Sequence, residues 1–223
     1  MITALYLAHL NPVTNAHVEI ISDLKKKADI VKVMPVIFKH NDSEVNSKSF
    51  PFNFESRKKM IESVFGDSVK ITEDYSFYSP FKKYLPPLVR RKSWKLRKQI
   101  LDGVDGDFFS YTGDKAEGYM LKIYRLKPKI GERKSLSATS VKEKLYDTAL
   151  GGKSSWKDDV PESVAEIIED EWETVEKYAN TDDQTTRVVG MKFPKEGYSK
   201  SIEINTHRIK ISYDTSNLKI CLV

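Results

Sequence analysis

The first forty residues constrain the fold more than any other part of the chain. The run ITALYLAHL (residues 2–10) is short, apolar and rich in β-formers, and it stops at Asn11-Pro12, where the proline ends the strand. From Ala16 to Lys27 the apolar residues Val18, Ile21 and Leu24 recur every three positions, with Ile20 alongside. Lys25, Lys26 and Lys27 fall in the last turn of that helix, where the dipole favours cations. Ile30 to Phe38 is a second apolar run of strand length. Strand, tight turn, helix and strand in this order predict a parallel βαβ unit with a right-handed crossover. The expected fold class is therefore α/β, a Rossmann-like parallel sheet with helices on both faces.

The rest of the chain continues that alternation. A polar loop from Lys39 to Ser49 precedes an expected helix from Asn53 to Phe65, with Phe54, Met60, Ile61 and Val64 near helical spacing. Val69–Ile71 reads as a short strand, Pro80 to Pro87 as a break, and Arg90 to Leu101 as a helix. Phe108–Thr112 predicts a strand running into Gly113-Asp114, followed by a helix from Ala116 to Leu121 and a strand at Ile123–Leu126. Ser140–Ala149 and Ser163–Tyr178 read as helices. Beyond a polar linker at Asn180–Thr186, the runs Arg187–Phe193, Ser201–Ile204, Arg208–Tyr213 and Leu218–Leu222 suggest a small antiparallel appendage.

Composition narrows the function classes. The single cysteine, Cys221, excludes a disulfide framework and a multi-cysteine zinc site. No apolar run approaches the roughly 20 residues needed to span a bilayer. The start MITALYLAHLNP has neither the basic region nor the small-residue cleavage site of a signal peptide, so the expected location is cytoplasmic. Net charge is +5, but it is local. Between Asp74 and Asp102 lie Lys82, Lys83, Arg90, Arg91, Lys92, Lys95, Arg97 and Lys98 with no acidic residue, and the remaining chain sums to −3. Such a stretch reads as a solvated helix face in preference to a nucleic-acid contact.

Three places carry residues suited to phosphate chemistry. Leu10 to His17 sits where strand one feeds helix one. In an open α/β sheet ligands bind beyond the carboxyl ends of strands, and the unpaired amides of a helix start suit a phosphate. The Thr14 hydroxyl and His17 ring can each add a donor there, although the same residues serve equally as a helix cap and a surface histidine. Neither the glycine-rich Rossmann pattern nor the P-loop is present. The segment Ser135-Leu136-Ser137-Ala138-Thr139-Ser140-Val141-Lys142 also lies just before a helix, with Lys142 three residues after Thr139, and it too reads alternatively as an ordinary cap. Thr112-Gly113-Asp114-Lys115 follows a predicted strand, where Asp114 either contacts substrate or simply opens a turn. Lys39 and His40 after strand two touch phosphate or stand in solvent, Trp94 reads as packing, and His207 at a probable turn has no functional reading. No His, Cys, Asp and Glu group has metal-site spacing.

Taken together, Ala8-His9-Leu10-Asn11-Pro12-Val13-Thr14-Asn15-Ala16-His17 resembles the first signature of the HxGH nucleotidyltransferase superfamily, the cytidylyltransferase-like fold. That signature is a strand, then G-x-F-x-P-x-[H/T]-x-G-H, then a helix. Thr14 matches the T-x-G-H variant of phosphopantetheine adenylyltransferases, while Ala8 and Ala16 stand where the family has glycine. Leu136 to Lys142 resembles the second signature, I-S-x-T-x-x-R, with Lys142 in place of arginine. Phe50 to Arg57 is similar to the P-F-T-x-x-E-R segment of archaeal-type nicotinamide mononucleotide adenylyltransferases. Gly151-Gly152 through Trp156 and Val160 to Val164 are similar to the G-G-x-W and V-P-x-x-V segments of the same enzymes.

The resemblance implies transfer of a nucleotidyl group, AMP from ATP, to a small phosphorylated acceptor such as nicotinamide mononucleotide, with pyrophosphate released. CTP is the alternative nucleotide. It implies that His17, Thr14 and Lys142 are catalytic, and that Ala8, His9, Leu10, Asn11, Ser137, Thr139 and Arg133 bind the nucleotide. Arg57, Lys39 and Asp114 would bind substrate. Mg²⁺ would arrive on the triphosphate with no protein metal site, and the chain would be a homo-oligomer without membrane contact. The implied organisation is a nucleotidyltransferase domain over 1–180, carrying a basic insertion at 77–102, and a β extension over 185–223. Because Ala8, Ala16 and Lys142 depart from the pattern, a catalytically degenerate nucleotide sensor or a nucleic-acid binder using the basic stretch stays open.

Overall fold

The computed structural model describes the chain except residues 86–89, 133, 189–190, 199–208, 215–216 and 223, and beyond 208 it describes backbone alone. Its opening unit is the expected one: β1 (Ile2–Ala8), α1 (Asn15–Lys25) and β2 (Ile30–Pro35), with β1 and β2 parallel. Then follow β3 (Ile37–His40), β4 (Ser43–Glu44), α2 (Phe54–Phe65), β5 (Lys70–Ile71), β6 (Ser76–Tyr78), α3 (Arg91–Ile100) and β7 (Asp107–Thr112). Next come α4 (Lys115–Ile123), β8 (Pro128–Ile130), α5 (Ala138–Ala149), α6 (Glu162–Asp170) and α7 (Trp172–Ala179). The chain closes with β9 (Thr185–Val188), β10 (Met191–Pro194), β11 (Ile209–Asp214) and β12 (Asn217–Leu222).

The central sheet runs β5-β2-β1-β7-β8 and every pairing in it is parallel. Strand alternation sorts its side chains into two cores. Ala4 and Tyr6 join Val31, Val33 and Phe109 under α1, α2, α5, α6 and α7. Leu5 and Leu7 join Met34 and the residues Leu96 and Ile100 of α3 and Met120 and Leu121 of α4 on the other face. Helices thus cover both faces, as a parallel sheet requires. No helix among the described residues is long and apolar enough to cross a membrane.

Four expectations need correction. The single strand expected at Ile30–Phe38 is two: Val36 still donates its N–H to the Ala8 carbonyl at 2.9 Å, after which β3 leaves to pair with β4 and β6. Pro35, lacking a donor, marks the break. The strand expected at Ile123–Leu126 is instead the end of α4 and a turn, because Met120, Leu121 and Tyr124 keep helical spacing into the second core; the strand begins at Pro128. The single helix expected at Ser163–Tyr178 breaks at Glu171, so that α6 packs on α2 while α7 packs on α5. Arg187–Phe193 is two strands, β9 and β10, paired antiparallel. The expected strand Ser201–Ile204, like Arg133 and His207, lies outside the described residues, whereas β11 and β12 form the expected antiparallel pair.

The β9–β10 hairpin is packed into the body of the fold. Phe193 is 1% exposed and meets Phe38, Phe77 and Phe81. The preceding linker is pinned as well: Lys48 donates to the Ala179 and Thr181 carbonyls, and Ser49 Oγ donates to Asp183 at 2.8 Å. The residues of the Gly-Gly and Val-Pro pieces serve packing, with Trp156 and Val160 in the first core and Trp156 stacked on Trp172. Gly151 sits at φ +89°, the left-handed region that favours glycine.

Candidate active site

The order of the sheet places β1 between β2 and β7, so the chain reverses its winding there. A crevice beyond the carboxyl ends of those strands is the expected ligand site of an open α/β sheet. A cleft of about 390 Å³ opens at that point. It is lined by Ala8, His9 and Leu10 after β1, Thr112, Gly113 and Asp114 at the end of β7, His17 from α1, and Ser137, Thr139 and Lys142 from the start of α5. Ala16 also lines it, so both alanines at the glycine positions border this space. Leu10 is held at φ +49° with its side chain fully buried. A non-glycine residue there costs on the order of 1 kcal/mol or more, and such strain collects where a turn must aim groups at a site.

His17 is set by the helix cap. Thr14 caps α1, and its backbone N–H donates to His17 Nδ1 at 3.1 Å. An Nδ1 that accepts leaves the ring proton on Nε2. Enclosure, and secondarily the charge of Lys142, lowers the His17 pKa to about 4, so the ring is a neutral donor at pH 7. Thr14 itself is fully buried and outside the cleft lining, where its backbone N–H holds the His17 ring.

Lys142 enters from the first turn of α5 and donates Nζ to the Asn11 carbonyl at 2.9 Å. Asn11 in turn is locked: its side chain donates to the Phe52 carbonyl at 2.7 Å and accepts from the Phe52 N–H at 3.1 Å. The turn after β1 and the start of α5 are therefore joined through the lysine. Burial first, and then the neighbouring charge of Lys192, lowers the Lys142 pKa to about 7. Ser137 caps α5, accepting from the Ser140 N–H at 3.1 Å, which leaves the helix start facing the cleft.

The sequence placed other residues here that the fold uses elsewhere. Arg57 is 2% exposed and lies outside the lining, because its guanidinium donates to the carbonyls of His9, Val36 and Asn53 and pairs with Glu44 at 2.8 Å. Those donors brace the loop after β1 and the end of β2. Lys39 pairs with Glu73 at 2.7 Å, also outside the lining. Of the basic stretch, Lys92 and Arg97 donate to backbone carbonyls of Tyr78, Ser79 and Tyr124, while Arg91, Trp94, Lys95 and Lys98 stay exposed on α3, away from the cleft.

His9 lines the cleft as the resemblance implied, and beside it stand several lining residues that carried no signal in the sequence. His9 stacks on Phe50 with ring centroids 4.6 Å apart, and burial lowers its pKa to about 3, giving a neutral aromatic surface. Phe38, Tyr75 and Phe77 continue that surface. Glu117 accepts from the Thr112 hydroxyl at 2.5 Å, and burial raises its pKa to about 7. Lys192 and Arg187 reach the lining from the C-terminal hairpin. Only Glu117, three residues after Asp114 at a helix start, had a local pattern from which to read it.

No protein-family model matches the chain. No curated protein matches it in sequence. Solved structures do match. A bifunctional NMN adenylyltransferase/ADP ribose pyrophosphatase from Francisella tularensis, complexed with AMP and a manganese ion, superposes with a TM-score of 0.58 at 15% identity over 79% of this chain. The matched part is 51% of that protein, so the chain spans about half its length. A Vibrio parahaemolyticus protein assigned as a nicotinate-nucleotide adenylyltransferase matches with a TM-score of 0.51 at 14% identity, over 79% of this chain and 96% of that one. At these identities the likeness establishes a shared fold.

Proposed function

We propose that the protein is a nucleotidyltransferase of the HxGH superfamily, transferring AMP from ATP to nicotinamide mononucleotide or a closely similar phosphorylated acceptor and releasing pyrophosphate. One observation carries this reading. His17 at the start of α1, and Ser137, Thr139 and Lys142 at the start of α5, come from distant parts of the sequence and line one cleft. Those are four of the polar residues of the two signature-like segments. The shared fold with two nucleotide adenylyltransferases supports the same reading.

In the reaction a phosphate oxygen of the acceptor attacks the α-phosphorus of the triphosphate. The bond from α-phosphorus to its bridging oxygen breaks, and pyrophosphate leaves with the electron pair. Such transfer asks the protein for position and charge stabilisation, with no covalent step. His17 donates Nε2–H to a phosphate oxygen whose charge grows as the bond breaks. Ser137, Thr139 and the open amides of α5 hold the terminal phosphates, and Lys142 adds a positive charge. Among the described residues no group of three His, Cys, Asp or Glu is arranged to hold a metal ion. Mg²⁺ would be carried by the triphosphate oxygens, since this ion keeps most of its water and takes few protein ligands. When bound it neutralises phosphate charge. Asp114, Glu117 and Glu132 are the carboxylates that line the cleft.

The test is pyrophosphate release from ATP, CTP, GTP or UTP with nicotinamide mononucleotide, alongside thermal shifts for the same panel with Mg²⁺. Release with ATP alone supports the adenylyl reading, and preference for CTP moves it to cytidylyl transfer. Nucleotide binding without release from any acceptor would leave a nucleotide sensor.

A further inference from the structure

The cleft has a wall that the triphosphate-binding groups do not use. It is built by the β9–β10 hairpin, which packs through Phe193 into the second core and turns Lys192 and Arg187 to the cleft. In the antiparallel register Lys192 pairs with Arg187, so both side chains leave the hairpin on the same face. Like charges directly opposite each other oppose strand pairing. The fold nonetheless holds them there: Lys192 Nζ donates to Ser49 Oγ at 2.9 Å, with the Asp183 carboxylate 3.6 Å away, and Ser49 Oγ donates to Asp183. An ammonium has three donors, so this anchoring still leaves one for a ligand. Ser49 directly precedes Phe50, whose ring stacks on His9, so the anchored amine stands beside the neutral aromatic surface. Lys142 lines the same cleft. Lys192 and Lys142 thus line one cleft where an anion would meet both amines, with Asp183 offsetting part of the Lys192 charge.

In-line displacement gives this second cation a task. The attacking phosphate must approach the α-phosphorus from the side opposite the departing pyrophosphate. The groups of α1 and α5 serve the triphosphate, and the hairpin enters as a separate wall. Resting on the transferase reading above, we propose that Lys192, with Arg187 beside it, binds the phosphate of the acceptor and makes the C-terminal hairpin the element that selects phosphorylated acceptors. The aromatic surface of His9 and Phe50 would then receive the acceptor's planar ring.

The experiment compares nicotinamide mononucleotide with nicotinamide riboside, which lacks the phosphate, by calorimetric titration of the full-length protein, wild type, Lys192→Gln and Lys192→Arg. Loss of a charge-assisted hydrogen bond to phosphate corresponds to about 10-fold or more in affinity. Wild type is expected to prefer the mononucleotide by at least that factor. Lys192→Gln removes most of the preference and leaves riboside affinity unchanged, and Lys192→Arg restores most of it. A preference that survives Lys192→Gln, equal weakening of both ligands, or no mononucleotide binding by wild type would each overturn the proposal. Failure of the transferase reading looks different: wild type would bind the mononucleotide with the Lys192-dependent preference yet release no pyrophosphate from any nucleotide.

Discussion

Lys142 offers the sharpest test of the site, because its environment fixes both the sign and the size of a pH effect. The amine is buried, holds the Asn11 carbonyl and has its pKa lowered to about 7. With a pKa near 7, the charged fraction falls from about a quarter at pH 7.5 to about one hundredth at pH 9. On the proposed reading, a bound triphosphate would favour the charged form and return the amine to its ordinary range. Affinity for ATP should therefore drop about 25-fold between those pH values, with close to one proton taken up per ATP bound at pH 8.5. Titration calorimetry at pH 8.5 in buffers of different ionisation enthalpy measures the uptake directly. Arginine stays charged throughout, so Lys142→Arg should flatten the slope even if its fork fits the pocket less well. The same lowered pKa carries a stability cost. An unfolded lysine keeps its proton to about pH 10.4, so between pH 7 and 10 the unfolded chain binds more protons and stability rises with pH on account of this group. At pH 7 the cost is on the order of 4 kcal/mol, partly offset by the bond to Asn11. Lys142→Met should thus raise the melting temperature while abolishing ATP binding. Equal pH slopes for wild type and Lys142→Arg, together with no proton uptake, would refute the reasoning.

Other substitutions separate chemistry from architecture. His17→Ala should lower turnover at least ~10²-fold with the melting temperature nearly unchanged, as removal of one oriented donor does; unchanged pyrophosphate release would reject its role. Arg57→Met should destabilise by about 3–5 kcal/mol in denaturant titration, because it strands Glu44 and three carbonyls, and a variant that keeps full stability but loses acceptor affinity would return Arg57 to the substrate. Phe193→Ala should cost about 3–5 kcal/mol if the hairpin is part of the core, whereas a loss below about 1 kcal/mol would make it a detachable appendage.

The sequence revealed the cleft end of the molecule because that end is local. A strand stopping at Asn11-Pro12, Thr14 capping the next helix and His17 one turn later are consequences of short-range geometry, and the structure repeats them. Ser137 before α5 is legible for the same reason. Arg57 could not be placed from the sequence, because an arginine in a signature-like segment looks the same whether its donors meet a phosphate or three backbone carbonyls. Only the approach of His9, Val36 and Asn53 in space decides between them. The strand predicted at Ile123–Leu126 failed because so short a run, three apolar residues and Arg125, carries either period, and the core chose the helical one.

By itself, then, the sequence determined the βαβ start, the parallel sheet it nucleates and the two helix starts that face its carboxyl edge, since alternation, caps and proline act over a few residues. Tertiary structure alone decided what surrounds that edge. It broke the run after Pro35, folded Phe193 into an aromatic core and brought Lys192 to a cleft first outlined by residues near position 10. Burial then moved Lys142 and Glu117 into the range where protons exchange at neutral pH. No local pattern encodes such placements, because they depend on which surfaces meet once the apolar faces of distant segments have left water.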